Sequence, residues 1–160
     1  IPGRTGIPFT TPTLIDLAEH PRIVAVKDAK GDLAASTRVL AATDLLWFSG
    51  EDALTLPLLS IGAIGTVSVV GHVAGEQYAA MIAAFDRGDL AEARRIHQAL
   101  VPVVDAIMSP SQGAIMAKAA LVELGVIESA FVRLPLVERP PEHLEALRAA
   151  LATLPGILAR

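Results

Sequence analysis

Of the three lysines in this 160-residue chain, only Lys27 closes an apolar run of strand length, Ile23-Val24-Ala25-Val26. Side chains alternate along a strand, so Lys27 falls on the same side as Ile23 and Ala25. A lysine is rarely set among apolar neighbours without a task. Desolvation there would disfavour the ammonium and leave a neutral amine able to attack a carbonyl. A lysine whose head simply snorkels to water fits the same spacing. Lys30, in a glycine-bounded loop, reads as a solvated charge, and Lys118, within a helical stretch, as a surface or interface residue. Arg4 stands between Pro2-Gly3 and Thr5-Gly6, where a turn could offer its guanidinium to a carboxylate. An exposed terminal arginine is the alternative. At Ser49-Gly50-Glu51-Asp52 a hydroxyl, a glycine and two carboxylates follow a second apolar run. Gly50 is expected to give a ligand room beside the backbone. Asp52 is expected to cap a helix, and Glu51 suits either a ligand contact or a helix dipole. His20, His97 and His143 read as helix residues, and His72 as a structural histidine ending a third run. No two of the histidines share metal-ligand spacing with a carboxylate, so no metal is expected. There is no cysteine, which removes disulfides, thiolate zinc sites and thiol nucleophiles. No phosphate-binding loop and no serine nucleophile elbow occurs.

The elements that would position these residues alternate. Thr11-Pro12 opens a helix to about His20, and residues 23–27 read as a strand. Asp32 caps a helix to about Thr43, and residues 45–49 read as the next strand. A helix containing Pro57 ends at Gly62, and residues 65–70 read as a third strand. The strands are continuous apolar runs, the pattern of a parallel sheet buried on both faces. Their spacing of about twenty residues suits a (β/α)8 barrel, with a doubly wound open sheet as the other possibility. After Val70 the periodicity is helical, over residues 75–87, 90–108, 112–124 and 142–154. Three strands fall short of a barrel of about 250 residues. We therefore expect the second half of a (β/α)8 TIM barrel in residues 1–88, followed by C-terminal helices in residues 89–160.

Composition narrows the partners. The charge sum is 13 − 17 = −4 with the four histidines neutral, a poor balance for gripping nucleic acid or an anionic membrane. Apolar residues make up 52% and charged ones 19%, which excludes a disordered chain. No apolar run approaches the roughly 20 residues of a membrane helix. Ile1-Pro2-Gly3-Arg4 shows neither an initiator Met nor the layout of a signal peptide. A cytoplasmic protein whose sequence begins in mid-fold is expected.

The motifs Pro2-Gly3-Arg4-Thr5, Val26-Lys27-Asp28-Ala29, Ser49-Gly50-Glu51-Asp52-Ala53 and Gly65-Thr66-Val67-Ser68-Val69 resemble the C-terminal part of the dihydrodipicolinate synthase family. That family belongs to the class I pyruvate-dependent aldolases, and the likeness covers essentially the whole chain. Arg133-Leu134-Pro135 resembles the family's link into its last helices. The resemblance implies a (β/α)8 barrel running here from the tail of strand five to strand eight. It implies that Lys27 forms an imine with pyruvate and that Arg4 holds the carboxylate of aspartate β-semialdehyde. Gly50 then lines the pocket and the Val67 carbonyl faces pyruvate. The implied product is 4-hydroxy-tetrahydrodipicolinate, made without an organic cofactor because the protonated imine is the electron sink. A homotetramer is the family's habit. By the same likeness the tyrosine proton shuttle stands two residues before Ile1, and the first four strands are missing, so the segment alone is expected to be inactive. Two other readings stand beside this one: a related aldolase with a different aldehyde, and a non-catalytic module that binds small carboxylates.

Overall fold

A computed structural model describes residues 1–158, which form two compact units, one from Ile1 to Ser68 and one from Val69 onward. The expected boundary lay at residue 88. The helix at residues 71–86 packs against those that follow it, so it belongs to the second unit.

The first unit holds α1 (Pro2–Thr5), α2 (Thr11–Ala18), β1 (Ala25–Asp28), α3 (Leu33–Ala42), β2 (Leu46–Ser49), α4 (Thr55–Leu59) and β3 (Gly65–Thr66). Thr10, one residue before the expected cap, starts α2: its hydroxyl accepts the Thr13 N–H at 3.3 Å. Asp32 caps α3 as expected, accepting the Ala35 N–H at 2.9 Å. The strands are parallel in the order β1-β2-β3, with Lys27 opposite Phe48 and Phe48 opposite Gly65.

One face of this sheet packs against the helices. Trp47 joins Leu14, Val39, Leu45, Leu58 and Ala63 in the core, with Val26 packed on it. Burial of a side chain such as Val39 or Leu58 contributes about 1.5–3 kcal/mol. The other face was expected to be buried as well and is not: Ala25, Lys27, Leu46 and Val67 are exposed and Phe48 is half-buried. α2, α3 and α4 lie on the Trp47 side, and the Lys27 side is left bare. β3 is also shorter than expected: its ladder with β2 closes at Ser49, the last residue of that strand. Its last rung is the Val67 N–H to the Ser49 carbonyl, 2.7 Å.

The second unit contains α5 (Gly71–Asp86), α6 (Leu90–Ala99), α7 (Val101–Met108), α8 (Gly113–Glu123), α9 (Glu142–Leu151) and α10 (Leu154–Leu158). The helix expected over 90–108 is two, divided at Leu100. Pro102 has no N–H to give the Gln98 carbonyl and its ring crowds that oxygen, so the first helix cannot run through. The helix expected over 142–154 likewise ends at Leu151 and restarts at Leu154. Met81, Ile96, Leu100, Val103, Ile107, Met116 and Leu147 form a core in which each is at most 1% exposed. Among the described residues, no helix is long and apolar enough to cross a membrane.

Candidate active site at the carboxyl ends of the strands

Lys27 lies one residue before the end of β1, on the open face. Among the described residues its Nζ has neither a hydrogen bond nor an ion pair. Its exposure departs from the desolvated setting that the sequence suggested. Any shielding of the amine has to come from something laid over this face.

Gly50 was expected to make room for a ligand. The room is taken by Lys27 itself. A Cβ built on Gly50 would stand 2.8 Å from Lys27 Cδ, closer still to Cε, and 3.1 Å from the Ala29 Cβ. The lysine stem therefore lies across the Gly50 α-carbon, and the missing side chain is what lets it lie there. Gly50 is itself held by its N–H, which donates to the Asp28 carbonyl at 2.7 Å.

The turn after β2 is wound on hydroxyls. Ser49 is fully buried; its Oγ donates to the Glu51 carbonyl at 2.7 Å and accepts the Glu51 N–H at 3.3 Å. Asp52 is 2% exposed but is not the cap that the sequence suggested. It is the first residue of a 3-10 turn (Asp52–Leu54), and its carboxylate accepts the Ser68 hydroxyl. Thr55 Oγ1 lies 3.2 Å from the Asp52 carbonyl and 3.3 Å from Thr66 Oγ1, and Thr66 Oγ1 donates to the Ser49 carbonyl at 3.2 Å. At the end of β1, Asp28 accepts the Lys30 N–H at 2.9 Å and the Ser36 hydroxyl at 2.7 Å. Ser36, Thr55, Thr66 and Ser68 were not singled out from sequence. Isolated hydroxyls carry no periodicity or spacing signal, and only the packing of α3 and α4 beside the strands sets them at the strand ends.

Val67 follows β3, and its carbonyl takes no hydrogen bond among the described residues. Lys27, Gly50 and Val67 therefore converge on the carboxyl ends of adjacent parallel strands. Arg4 does not join them by any recorded contact. It is exposed on α1, where Nη1 lies 3.4 Å from the Gly3 carbonyl. His72 lies in the first turn of α5, not at a strand end, with Nδ1 2.8 Å from the Val69 carbonyl. Lys118 Nζ donates to the Phe131 carbonyl at 2.6 Å. No cluster of three or more histidine and carboxylate side chains able to hold a metal occurs among the described residues. A cavity of about 530 Å³ opens elsewhere, at the amino ends of β1 and β2, between Glu19, His20, Val24 and Leu46. Chemistry in parallel βα folds belongs to the carboxyl ends, so the Lys27 end is the better candidate.

A parallel βα sheet with Lys27 at a strand's carboxyl end has the α/β architecture from which TIM barrels are built, and the chain superposes on solved structures of that kind. The dihydrodipicolinate synthase of Cyanidioschyzon merolae, solved with lysine bound, superposes with a TM-score of 0.91 at 44% identity, covering 99% of this chain and 53% of that one. The Thermotoga maritima dihydrodipicolinate synthase does so with 0.91 at 33% identity, covering 99% and 55%. The chain belongs to the dihydrodipicolinate synthetase family, which it matches over residues 1–154. The 4-hydroxy-tetrahydrodipicolinate synthase of Kineococcus radiotolerans is 56% identical over 152 residues, 95% of this chain and 49% of that protein. That of Acidothermus cellulolyticus is 52% identical over 152 residues, with the same coverage of 95% and 49%. The chain thus spans about half the length of the curated relatives it matches.

Proposed function

We propose that this chain is the carboxyl-terminal half of a (β/α)8 barrel, from the tail of strand five through strand eight and the helices beyond. The full-length protein then condenses pyruvate with aspartate β-semialdehyde to 4-hydroxy-tetrahydrodipicolinate. The observation that carries this is the unpartnered Lys27 amine, its stem laid over Gly50 at the carboxyl ends of parallel strands. The identity to named synthases supports it.

In this reading the Lys27 amine adds to the pyruvate ketone and water leaves, giving a protonated imine. Loss of a methyl proton makes an enamine, whose carbon attacks the aldehyde. The new alkoxide takes a proton. The substrate's own amine then displaces Lys27 as the ring closes, so the lysine is regenerated and no organic cofactor or metal enters. The free Val67 carbonyl faces pyruvate, and Arg4 holds the carboxylate of the second substrate. Arg4 is exposed here, which fits a residue waiting for the rest of the pocket. The protein works in the cytoplasm as a homotetramer, with no nucleic acid or membrane partner.

The test is reductive trapping. Full-length protein incubated with pyruvate and borohydride should gain one adduct, mapped to Lys27 and sparing Lys30 and Lys118. An adduct on Lys30 would overturn the assignment. Arg4→Ala should leave that adduct intact and lose about 1.5–3 kcal/mol with aspartate semialdehyde, the worth of a charge-assisted hydrogen bond.

A further inference from the structure

Three successive residues at the end of β3 are tied back to the turn that follows β2. Thr66 Oγ1 donates to the Ser49 carbonyl at 3.2 Å, and the Val67 N–H donates to the same oxygen at 2.7 Å. Ser68 Oγ donates to Asp52 Oδ1. The segment Ser49 to Asp52 thereby holds both sides of Val67, and Gly50, the rest for the Lys27 stem, lies inside that segment.

The Asp52–Ser68 pair is the costly member of this set. A carboxylate that is 2% exposed gives up most of its hydration, and packing alone would favour an apolar residue there. Asp52 itself is the first residue of the 3-10 turn, so the pair anchors that turn at its start. What the pair does fix is geometry. It joins the residue two after Gly50 to the residue one after Val67. Together with the Ser49 contacts it sets where the lysine stem rests relative to the unoccupied Val67 carbonyl.

We propose that Asp52 and Ser68 form a positioning latch for Lys27. Neither touches the reacting atoms. The pair holds the Gly50 turn and the Val67 peptide at a fixed separation, so that the Lys27 amine meets a small α-keto acid lodged beside the Val67 carbonyl. This rests on the reading of Lys27 as the imine-forming residue.

The experiment uses full-length protein and measures the rate of the pyruvate adduct on Lys27 by mass spectrometry, alongside the melting temperature. Ser68→Ala should slow adduct formation per folded molecule by roughly ten- to a hundred-fold, the scale at which a displacement of about 1 Å acts. Asp52→Asn should stay within roughly twofold of the parent, because a carboxamide oxygen still accepts the Ser68 hydroxyl. A merely structural pair would lower the melting temperature in Ser68→Ala and leave the rate unchanged, and that result overturns the latch. Asp52→Asn as slow as Ser68→Ala overturns it too, since charge and not the bond would then matter. If Ser68→Ala does not fold, Ser68→Cys decides: its weaker thiol donor should give an intermediate loss, and a parental rate overturns the latch. Failure of the parent itself to carry the adduct on Lys27 is a separate outcome, which removes the reading beneath.

Discussion

In the helical unit Met81, Ile107 and Leu147 are fully buried, whereas in the sheet unit Leu46, Ile64 and Val67 are 47%, 52% and 52% exposed. Both units also expose apolar side chains, Phe131, Leu134 and Val137 among them in the helical one, but in the sheet unit Leu46 and Val67 share the strand face that carries Lys27. The sheet unit has one satisfied face, built on Trp47, and one bare face that carries Lys27. That asymmetry separates residues kept for packing from residues kept for chemistry. A core residue is explained by its neighbours. Lys27 has none that explain it, and the glycine beneath it is shaped to the lysine stem.

The largest expected effect concerns the bare face. The isolated 160-residue chain should turn over pyruvate and aspartate semialdehyde at least roughly 10²–10⁴-fold more slowly than the full-length protein, the range that general acid–base help supplies. Adding the upstream half as a separate polypeptide should recover part of that loss. Full activity without it would show that Lys27 works on an open sheet, and the contrast between the units would lose its functional meaning.

A stability measurement tests the same contrast directly. Ile107→Ala should cost about 2–5 kcal/mol by urea titration, since a fully buried methyl-rich side chain leaves a cavity. Leu46→Ala in the same chain should cost about 0.5 kcal/mol or less, the usual range for a surface site. In the full-length protein the Leu46 cost should rise. Equal costs at the two positions in the isolated chain would erase the distinction.

Next comes Gly50→Ala. The new methyl would meet the Lys27 stem, and the lysine must move because the backbone beneath is pinned to Asp28. In the full-length protein the pyruvate adduct should form roughly ten-fold more slowly, an effect of misplacement. The melting temperature should change little, because a flexible stem yields at small cost. An unchanged rate would mean that the contact with Gly50 does not set the lysine's working position.

The order of strands and helices in the first unit was legible because turn chemistry marked it: Asp32 as cap, Gly50 and Gly62 as stops. The positions of Lys27 and Gly50 at strand ends followed from that order, whereas Val67, expected inside a strand over 65–70, follows β3. Two things were hidden. Apolar runs suggested burial on both faces, but a run of Val, Leu and Phe records what a strand is built to meet, and α2, α3 and α4 supply only one side. The bonds that Ser49, Thr55, Thr66 and Ser68 make with one another's segments were invisible because tertiary packing, not spacing in sequence, assembles them. In the second unit, Pro102 was a visible break that helical periodicity on either side outweighed.

The smallest effect lies in the helical unit and separates two acid windows. Burial holds the His97 imidazole below its ordinary value near 6.5, so the folded state takes up its proton later than the unfolded chain does. Its contribution to stability is complete above about pH 6.5 and is lost as the pH falls from there through the folded value. Glu123 is held down mainly by its hydrogen bond from Arg148 Nε, 2.5 Å, and also by the positive charge of that side chain and of Arg139. Its contribution is present above the ordinary glutamate value near 4.5 and is lost as the pH falls through the lower folded value. Acid should therefore loosen this unit in two steps, the first as the pH falls below the ordinary imidazole value near 6.5 and the second below the ordinary glutamate value near 4.5. Stability measured by urea titration across pH 7 to 3 should show both. His97→Gln should flatten only the upper step, and Glu123→Gln only the lower. Since the Glu123–Arg148 pair is at the surface, added salt should weaken the lower step and spare the upper one. A His97→Gln profile as steep near pH 6 as the parent would place that slope outside the buried imidazole.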